Sequence, residues 1–391
     1  MVGKIPFVLV IDDQEHEALF ATELEFENLR ALRVAPGAVT HALLAEADLV
    51  VLDEYLVDWP QRDEAVLAPS LVVLDGIALS AVLRAHLDKR GNPDESAVPS
   101  RTSIVLRTGQ LKHLAEGLPR ALWEGAVSSR HDLEWVFEKN GPLVADRTVA
   151  SRIAELTIAI RSLPSDWDAV DVKPQLEWLQ LPDQHWRETA IWQIEQCRPP
   201  WSALSEATNG RQWLRWFMQR ILSYSTFLLD DLRAGALLGL TETGFHNLIA
   251  GESELASKVL STAYTGQLAN FAGRRWWRAG VAAIAEELRI AGSSYRSRDV
   301  GAQAVIAHGA ILDILEFDEP VFTIDEEYSV VSEPVEITGA VRLQPDGWPA
   351  YADDPWLAVS SQSGETELIK LIVFDDKELL QPGAPDVSEV Q

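Results

Sequence analysis

Uninterrupted apolar runs mark the first third of the chain, and each run ends in polar residues. Four of them read FVLVIDD, LVVLDEYL, SIVLRTG and LEWVFEK. Unbroken runs of Val, Leu and Ile are typical of parallel strands that are buried on both faces. The pattern therefore predicts an α/β fold built on a parallel sheet.

The polar residues at the ends of these runs are candidates for one shared site. They are Asp12 and Asp13, then Asp53, Thr108 and Lys139. Ligands of open parallel sheets bind outside the carboxyl ends of the strands, so neighbouring strands would bring these side chains together. Three carboxylates in one crevice repel one another unless a cation lies between them. An oxygen-only ligand set favours a hard, hydrated ion, and Mg²⁺ is the first candidate.

This combination of groups is suited to phosphoryl transfer. One carboxylate can act as the nucleophile, and a metal ion can offset charge on the phosphoryl oxygens. A hydroxyl group and an ammonium group can then hold the remaining oxygens.

The same residues resemble the receiver domain of two-component response regulators, which has the CheY-like fold. IDDQ, with Asp12 and Asp13, is similar to the metal-binding acidic pair of that family, and Asp53 in VVLDEYL stands where the phosphoacceptor stands. DGIALSAVLRAHL, from Asp75, is similar to the start of the family's third helix. The resemblance implies a doubly wound, five-stranded parallel sheet of flavodoxin-like type.

The resemblance also implies roles for the other site residues. The backbone carbonyl of Tyr55 would join the three acids as a ligand of Mg²⁺. Thr108 matches the hydroxyl that contacts the phosphoryl group, and Lys139 matches the invariant lysine of the family.

The chain departs from the family pattern at several places. An insertion around residues 58–74 separates the acceptor from the DG turn, and a long structureless insertion in a compact domain is usually functional or mobile. It could shield an acyl phosphate from water or form a partner surface. Val136 stands where the family has its switch aromatic, flanked by Trp135 and Phe137. Asn140, instead of proline, follows the lysine.

Changes in composition predict the remaining organisation. We expect the receiver to cover residues 1–163 and a linker to cover 164–174, where Pro, Asp and Ser are frequent. A tryptophan-rich, mainly helical module should follow over 175–316, and a small antiparallel β module over 317–380. The segment TELIKLIVFDD is expected to add a strand to that module. Residues 381–391 read as a disordered tail.

The tryptophan-rich helices allow two interpretations. Apolar residues recur at three- and four-residue steps, as in amphipathic helices, and Trp213, Trp216, Phe217 and Ile221 share one side. Large indole rings favour a buried core. An exposed aromatic surface for a protein partner is the alternative.

A helix-turn-helix-like hairpin is expected near residues 232–250, with its turn at Gly239 and a cap at Thr241. Many response regulators carry such an output unit. Its second helix, TETGFHNLIA, contains no lysine or arginine that could bind DNA phosphates. The nearby basic cluster of Arg274, Arg275 and Arg278 could bind phosphate, although such arginines more often pair with acids of their own surface.

Composition narrows the classes of function. The net charge of −27 opposes general attraction to nucleic acids or acidic membranes. A lone cysteine, Cys197, excludes an intramolecular disulfide framework and fits a reducing cytoplasm. No apolar stretch is long enough to span a bilayer. Outside the receiver-like part we find no catalytic motif, so an enzymatic activity is not predicted.

The sequence therefore predicts a cytoplasmic response regulator of a two-component phosphorelay. A partner histidine kinase or phosphotransfer protein would phosphorylate Asp53 in a Mg²⁺-dependent way. The C-terminal modules would pass on the phosphorylation state through protein–protein contacts, or the protein would buffer phosphoryl groups. A homodimer is an open option for its assembly. A DNA-binding regulator, a scaffold with an unphosphorylated receiver and an enzyme effector stay open as alternatives.

Overall fold

The structure is a computed structural model that describes residues 5–56, 75–89, 102–141, 143–144, 147–163, 172–198, 210–359 and 367–380. The predicted insertion around residues 58–74 and the predicted tail over 381–391 lie outside the described residues, as does most of the predicted linker.

The N-terminal part is organised around a five-stranded parallel sheet. Its strands are β1 (Phe7–Ile11), β2 (Arg30–Val34), β3 (Leu49–Asp53), β4 (Ser103–Thr108) and β5 (Trp135–Glu138). They pair in parallel in the order β2-β1-β3-β4-β5. This is the flavodoxin-like order, which CheY also has. The predicted receiver-type fold is therefore confirmed.

Helices cover both faces of this sheet. They are α1 (Ala18–Phe26), α2 (His41–Glu46), α3 (Gly76–Lys89), α4 (Leu111–Leu114), α5 (Trp123–Arg130) and α6 (Val149–Arg161). Val8 and Val10 of β1 share a core with α1 and α6. Leu9, on the opposite face, shares a second core with α2, α3 and α5. Burial on both faces explains why the strands appear in the sequence as unbroken apolar runs.

The helical part continues the core of the receiver-type sheet. Its helices are α7 (Lys173–Trp178), α8 (Arg187–Gln196), α9 (Arg211–Trp216), α10 (Asp231–Leu237), α11 (Glu242–Ala250), α12 (Glu254–Leu260), α13 (Arg278–Gly292) and α14 (Ser297–His308). Trp178, Trp213, Phe217 and Trp277 belong to the same hydrophobic cluster as the α1/α6 face of the sheet. The predicted tryptophan-rich core is confirmed, although Trp192 of α8 is exposed.

Short antiparallel strand pairs occur within the helical part and towards the C-terminus. β6 (Leu228–Leu229) pairs with β7 (Trp276–Trp277), β8 (Pro320–Val321) with β9 (Val335–Glu336), and β10 (Ala340–Arg342) with β11 (Trp356–Ala358). The strand predicted in TELIKLIVFDD is wrong, because 3₁₀ helices form over Glu367–Leu371 and Phe374–Leu380. Leu368 and Ile372 are buried in the small C-terminal core, and Leu371 packs against it. Lys370, which an alternating strand would place on the same face as Leu368 and Ile372, is exposed instead.

The predicted hairpin around Gly239 is present as a pair of short helices, α10 and α11. Gly239 has a positive φ of 70°, and its missing Cβ leaves room for the backbone of Ser297 and Gly301. The Thr241 hydroxyl accepts a hydrogen bond from the Gly244 amide at 3.0 Å and caps α11, as predicted. Among the described helices, none is both long and apolar enough to cross a membrane.

Candidate functional site

Three buried carboxylates meet at the carboxyl ends of β1 and β3. Asp12 and Asp13 directly follow β1, and Asp53 is the last residue of β3. The two strands are neighbours in the sheet, with Ile11 opposite Leu52. One oxygen of each carboxylate lies within 4.8 Å of the others. The convergence predicted from the ends of the apolar runs is thus what the structure shows for these three acids.

Lys139 reaches the same cluster from the end of β5. Its Nζ atom lies 3.0 Å from Asp53 Oδ1 and 3.4 Å from Asp12 Oδ2. Burial alone would lower the pKa of Lys139, but attraction to the two aspartates outweighs it and raises the pKa above its ordinary value. The ammonium group is therefore held in its charged form beside the predicted acceptor.

The Asp53 carboxyl group is difficult to ionise in this environment. Burial raises its pKa from 3.8 to about 6, and repulsion by Asp12 acts in the same direction, whereas Lys139 opposes both. The single positive charge of Lys139 does not balance the negative charge of three buried carboxylates. A divalent cation would supply the missing positive charge.

The donor set fits Mg²⁺, because Asp12, Asp13 and Asp53 offer only carboxylate oxygens within a small volume. Among the described residues, no other group of three or more potential metal ligands lies so close together. Tyr55 lies two residues beyond the end of β3 and pairs through its backbone with Asp75. The role of its carbonyl as a further ligand stays a prediction.

Thr108 ends β4, next to β3 in the sheet. Its hydroxyl donates a hydrogen bond to a carboxylate oxygen of Glu54, the residue after Asp53. It also accepts a hydrogen bond from the Gln110 amide at 2.8 Å. The hydroxyl therefore lies beside the acceptor's chain neighbour, and its predicted contact with a phosphoryl group stays a prediction.

Further charged residues, which the sequence alone did not indicate, surround the cluster. Glu17 lies in the turn before α1, where its Oε1 is 3.0 Å from Lys139 Nζ and its Oε2 is 2.6 Å from Arg107 Nη1. Burial raises the pKa of Glu17, but these two cations outweigh burial and lower it. The available signal was Arg107, a charged residue inside the apolar run SIVLRTG. Its partner could be identified only once α1 had been placed.

Gly76 explains why the segment after the insertion begins with Asp-Gly. A Cβ atom at this position would lie 1.9 Å from the Asp53 carbonyl oxygen. The Gly76 amide donates a hydrogen bond to the Glu54 carbonyl at 2.8 Å. The Asp75 carboxylate caps α3 by accepting from the Ala78 amide at 2.6 Å. Helix α3 thus begins directly against the acceptor strand, and only glycine allows this approach.

Strand β5 connects the cluster to the helical part. Phe137, two residues before Lys139, packs against Phe271 with 6.0 Å between ring centroids, and Trp135 packs against the same ring at 5.4 Å. Arg152 of α6 donates a hydrogen bond from Nε to the Phe271 carbonyl at 3.0 Å. Strand β5, which directly precedes the site lysine, is therefore in contact with the segment between α12 and α13 of the helical part.

A buried ion cluster forms a second connection. Glu134, directly before β5, is fully buried and lies 2.9 Å from Arg84 of α3 and 2.9 Å from Arg215 of α9. Burial raises the pKa of Glu134, but the two arginines outweigh it and bring the pKa to about 2. Two cations from different parts of the chain thus hold one carboxylate at the base of the sheet.

The basic cluster near the α10/α11 hairpin is engaged by acids of the same chain. Arg274 pairs with Asp231 at 2.9 Å, and Arg278 pairs with Asp353 at 2.8 Å. Arg275 donates a hydrogen bond to the Leu222 carbonyl at 3.0 Å. These contacts agree with the structural interpretation of the cluster, and α11 itself carries no lysine or arginine.

Comparisons with known proteins give a distant likeness among solved structures. No family model matches the sequence, and no curated protein matches it. Among solved structures, the chain is similar to a response regulator receiver domain (CheY-like) from Methylobacillus flagellatus. The match has 18% sequence identity and a TM-score of 0.23, and it covers 36% of this chain and 90% of that domain. A likeness at this level assigns no activity, and the receiver-type fold is evident from the strand order instead.

Proposed function

We propose that the protein is a response regulator whose phosphoacceptor is Asp53. The observation that supports this most strongly is the convergence of Lys139 and three buried aspartates at the carboxyl edge of a sheet with receiver topology. Such an edge is where open α/β sheets bind their ligands. The phosphodonor would be a phosphohistidine on a histidine kinase or a phosphotransfer protein.

In the proposed reaction, a carboxylate oxygen of Asp53 attacks the phosphorus atom and forms a new O–P bond. The P–N bond to the donor imidazole breaks, and the imidazole keeps the electron pair. A Mg²⁺ ion held by the three aspartates would offset charge on the phosphoryl oxygens. Lys139, already 3.0 Å from Asp53, would hold one of those oxygens and keep the product's charge balanced.

The signal would travel within the chain. Adding a dianionic group beside Lys139 changes the charge at the end of β5, and β5 touches the helical part through Phe137 and Phe271. A shift in this contact would alter the surface that the C-terminal part offers to a protein partner. No observation on the described residues favours the DNA-binding or enzymatic alternatives.

Labelling of the full-length protein with acetyl phosphate and Mg²⁺ tests the proposal. We expect one phosphoryl group per chain in the wild type and none in Asp53→Asn. Asp354→Asn is the matched control, because it makes the same chemical change at an exposed aspartate. Undiminished labelling of Asp53→Asn would reject Asp53 as the acceptor.

A further inference from the structure

Glu54 occupies an unusual position beside the proposed acceptor. Its side chain is buried, with 7% of the residue exposed, and its carboxylate accepts the hydrogen bond that the Thr108 hydroxyl donates. A hydroxyl group has only one proton to donate. The acceptor side of this hydroxyl is engaged as well, because the Gln110 amide donates to it at 2.8 Å. The Thr108 hydroxyl is therefore fully oriented towards Glu54.

A phosphoryl group on Asp53 needs the same proton. Under the proposed function, Thr108 reads the phosphorylated state by donating to a phosphoryl oxygen. It cannot donate to Glu54 and to that oxygen at the same time. Both acceptors are anionic, so each forms a charge-assisted hydrogen bond of comparable strength. The phosphoryl group must therefore displace a carboxylate before Thr108 can respond.

The backbone of Glu54 limits how the competition can be relieved. The Glu54 carbonyl accepts the Gly76 amide at 2.8 Å, which fixes this residue between β3 and the start of α3. The side chain would have to rotate away while its backbone stays in place. A displaced carboxylate in a buried position then needs a new partner or water, which adds to the cost of the switch.

We propose that Glu54 is a positioning residue that competes with the phosphoryl group for the Thr108 hydroxyl. This inference rests on the proposed function. Glu54 holds Thr108 in the orientation of the unphosphorylated protein and weakens the response of the site to a bound phosphoryl group. Its removal should free Thr108 and tighten the binding of a phosphoryl mimic.

Beryllofluoride binding to the full-length protein, in the presence of Mg²⁺, measures this competition. Glu54→Leu removes the competing acceptor, and we expect its Kd for beryllofluoride to fall by ~10-fold or more, since hydrogen bonds to charged groups are strong. Glu54→Gln keeps the shape and loses the charge, so its Kd should fall by a smaller factor. It also serves if the leucine variant does not fold.

A double-mutant cycle with Thr108→Val separates competition from a purely structural role. We expect Thr108→Val to change the Kd little in the wild type, where Glu54 holds the hydroxyl, and to raise it ~10-fold in the Glu54→Leu background. Equal effects of Thr108→Val in the two backgrounds would overturn the inference and leave the proposed function intact. Binding of beryllofluoride by Glu54→Leu but not by the wild type would support a strong competition for the Thr108 hydroxyl. Failure of every protein to bind beryllofluoride or to accept phosphate from acetyl phosphate would overturn both proposals.

Discussion

Replacing Asp53 by asparagine should stabilise the protein at neutral pH in the absence of divalent metal. The Asp53 carboxyl has a pKa of about 6 in the folded protein, compared with an ordinary value of 3.8, chiefly because it is buried. The folded state therefore binds a proton between these two pH values that the unfolded state has already released. Stability consequently falls as the pH rises from about 4 to about 6, and it stays lower above that range.

The size of the effect follows from the shift in pKa. A change from 3.8 to about 6 corresponds to ~3 kcal/mol of unfolding free energy, at about 1.4 kcal/mol for each pKa unit. Asparagine carries no charge at any pH and avoids this cost. The lysine keeps a partner in the variant, because Glu17 lies 3.0 Å from Lys139 Nζ. We therefore expect a gain of up to ~3 kcal/mol above pH 6, with little gain below pH 4.

Urea denaturation of the wild type and Asp53→Asn, in EDTA at several pH values from 4 to 8, checks this prediction. The difference between the two unfolding free energies should grow with pH and level off above about 6, as linkage requires. Asp354→Asn, at an exposed position, should show no such trend. A difference that is independent of pH, or a less stable variant at pH 7.5, would refute the assignment of a raised pKa to Asp53.

Three further predictions concern the surroundings of the site. Gly76→Ala should destabilise the protein by more than ~2 kcal/mol, because the new Cβ would collide with the Asp53 carbonyl; an unchanged denaturation midpoint would contradict this. Arg215→Ala should cost about 3 kcal/mol in urea denaturation, since it removes one of the cations around the buried Glu134; a cost below ~1 kcal/mol would contradict it. Addition of Mg²⁺ should increase the Tm of the wild type by much more than it increases the Tm of Asp13→Asn. Equal increases in the two proteins would argue against the metal site.

The central strands could be predicted because both faces of the sheet are covered. That burial produces unbroken apolar runs, and the residues that end the runs converge at one edge. Strand β2, with the sequence RALRV, was not located in the sequence because it lies at the edge of the sheet and is partly exposed. Its two arginines conceal the apolar pattern that identifies the other strands.

The charged residues around the acidic cluster could not be predicted in the same way. Glu17 and Glu54 lie near the predicted ligands in sequence, but their partners come from β4 and β5. Only the folded chain shows that Glu17 shares Lys139 with Asp53. The C-terminal strands are difficult to predict from the sequence for another reason. They contain only two or three residues each, which is too short for an alternating pattern to be distinctive.

The helical part and the receiver-type sheet share one hydrophobic core. Phe271 packs on Phe137 of β5, and Arg215 joins Arg84 around Glu134, so the helical part is attached to the receiver-type sheet by apolar and ionic contacts. A signal that begins at Lys139 would therefore act on contacts that already exist within the chain, and recruitment of a separate domain is not required.

Chemical mapping of the modified residue is the decisive test of Asp53 as the phosphoacceptor. After treatment of the full-length protein with acetyl phosphate and Mg²⁺, borohydride reduces an aspartyl phosphate to homoserine, which peptide mass spectrometry can locate. We expect homoserine at position 53 and nowhere else. Homoserine at position 12 or 13, or its absence from the whole chain, would contradict it.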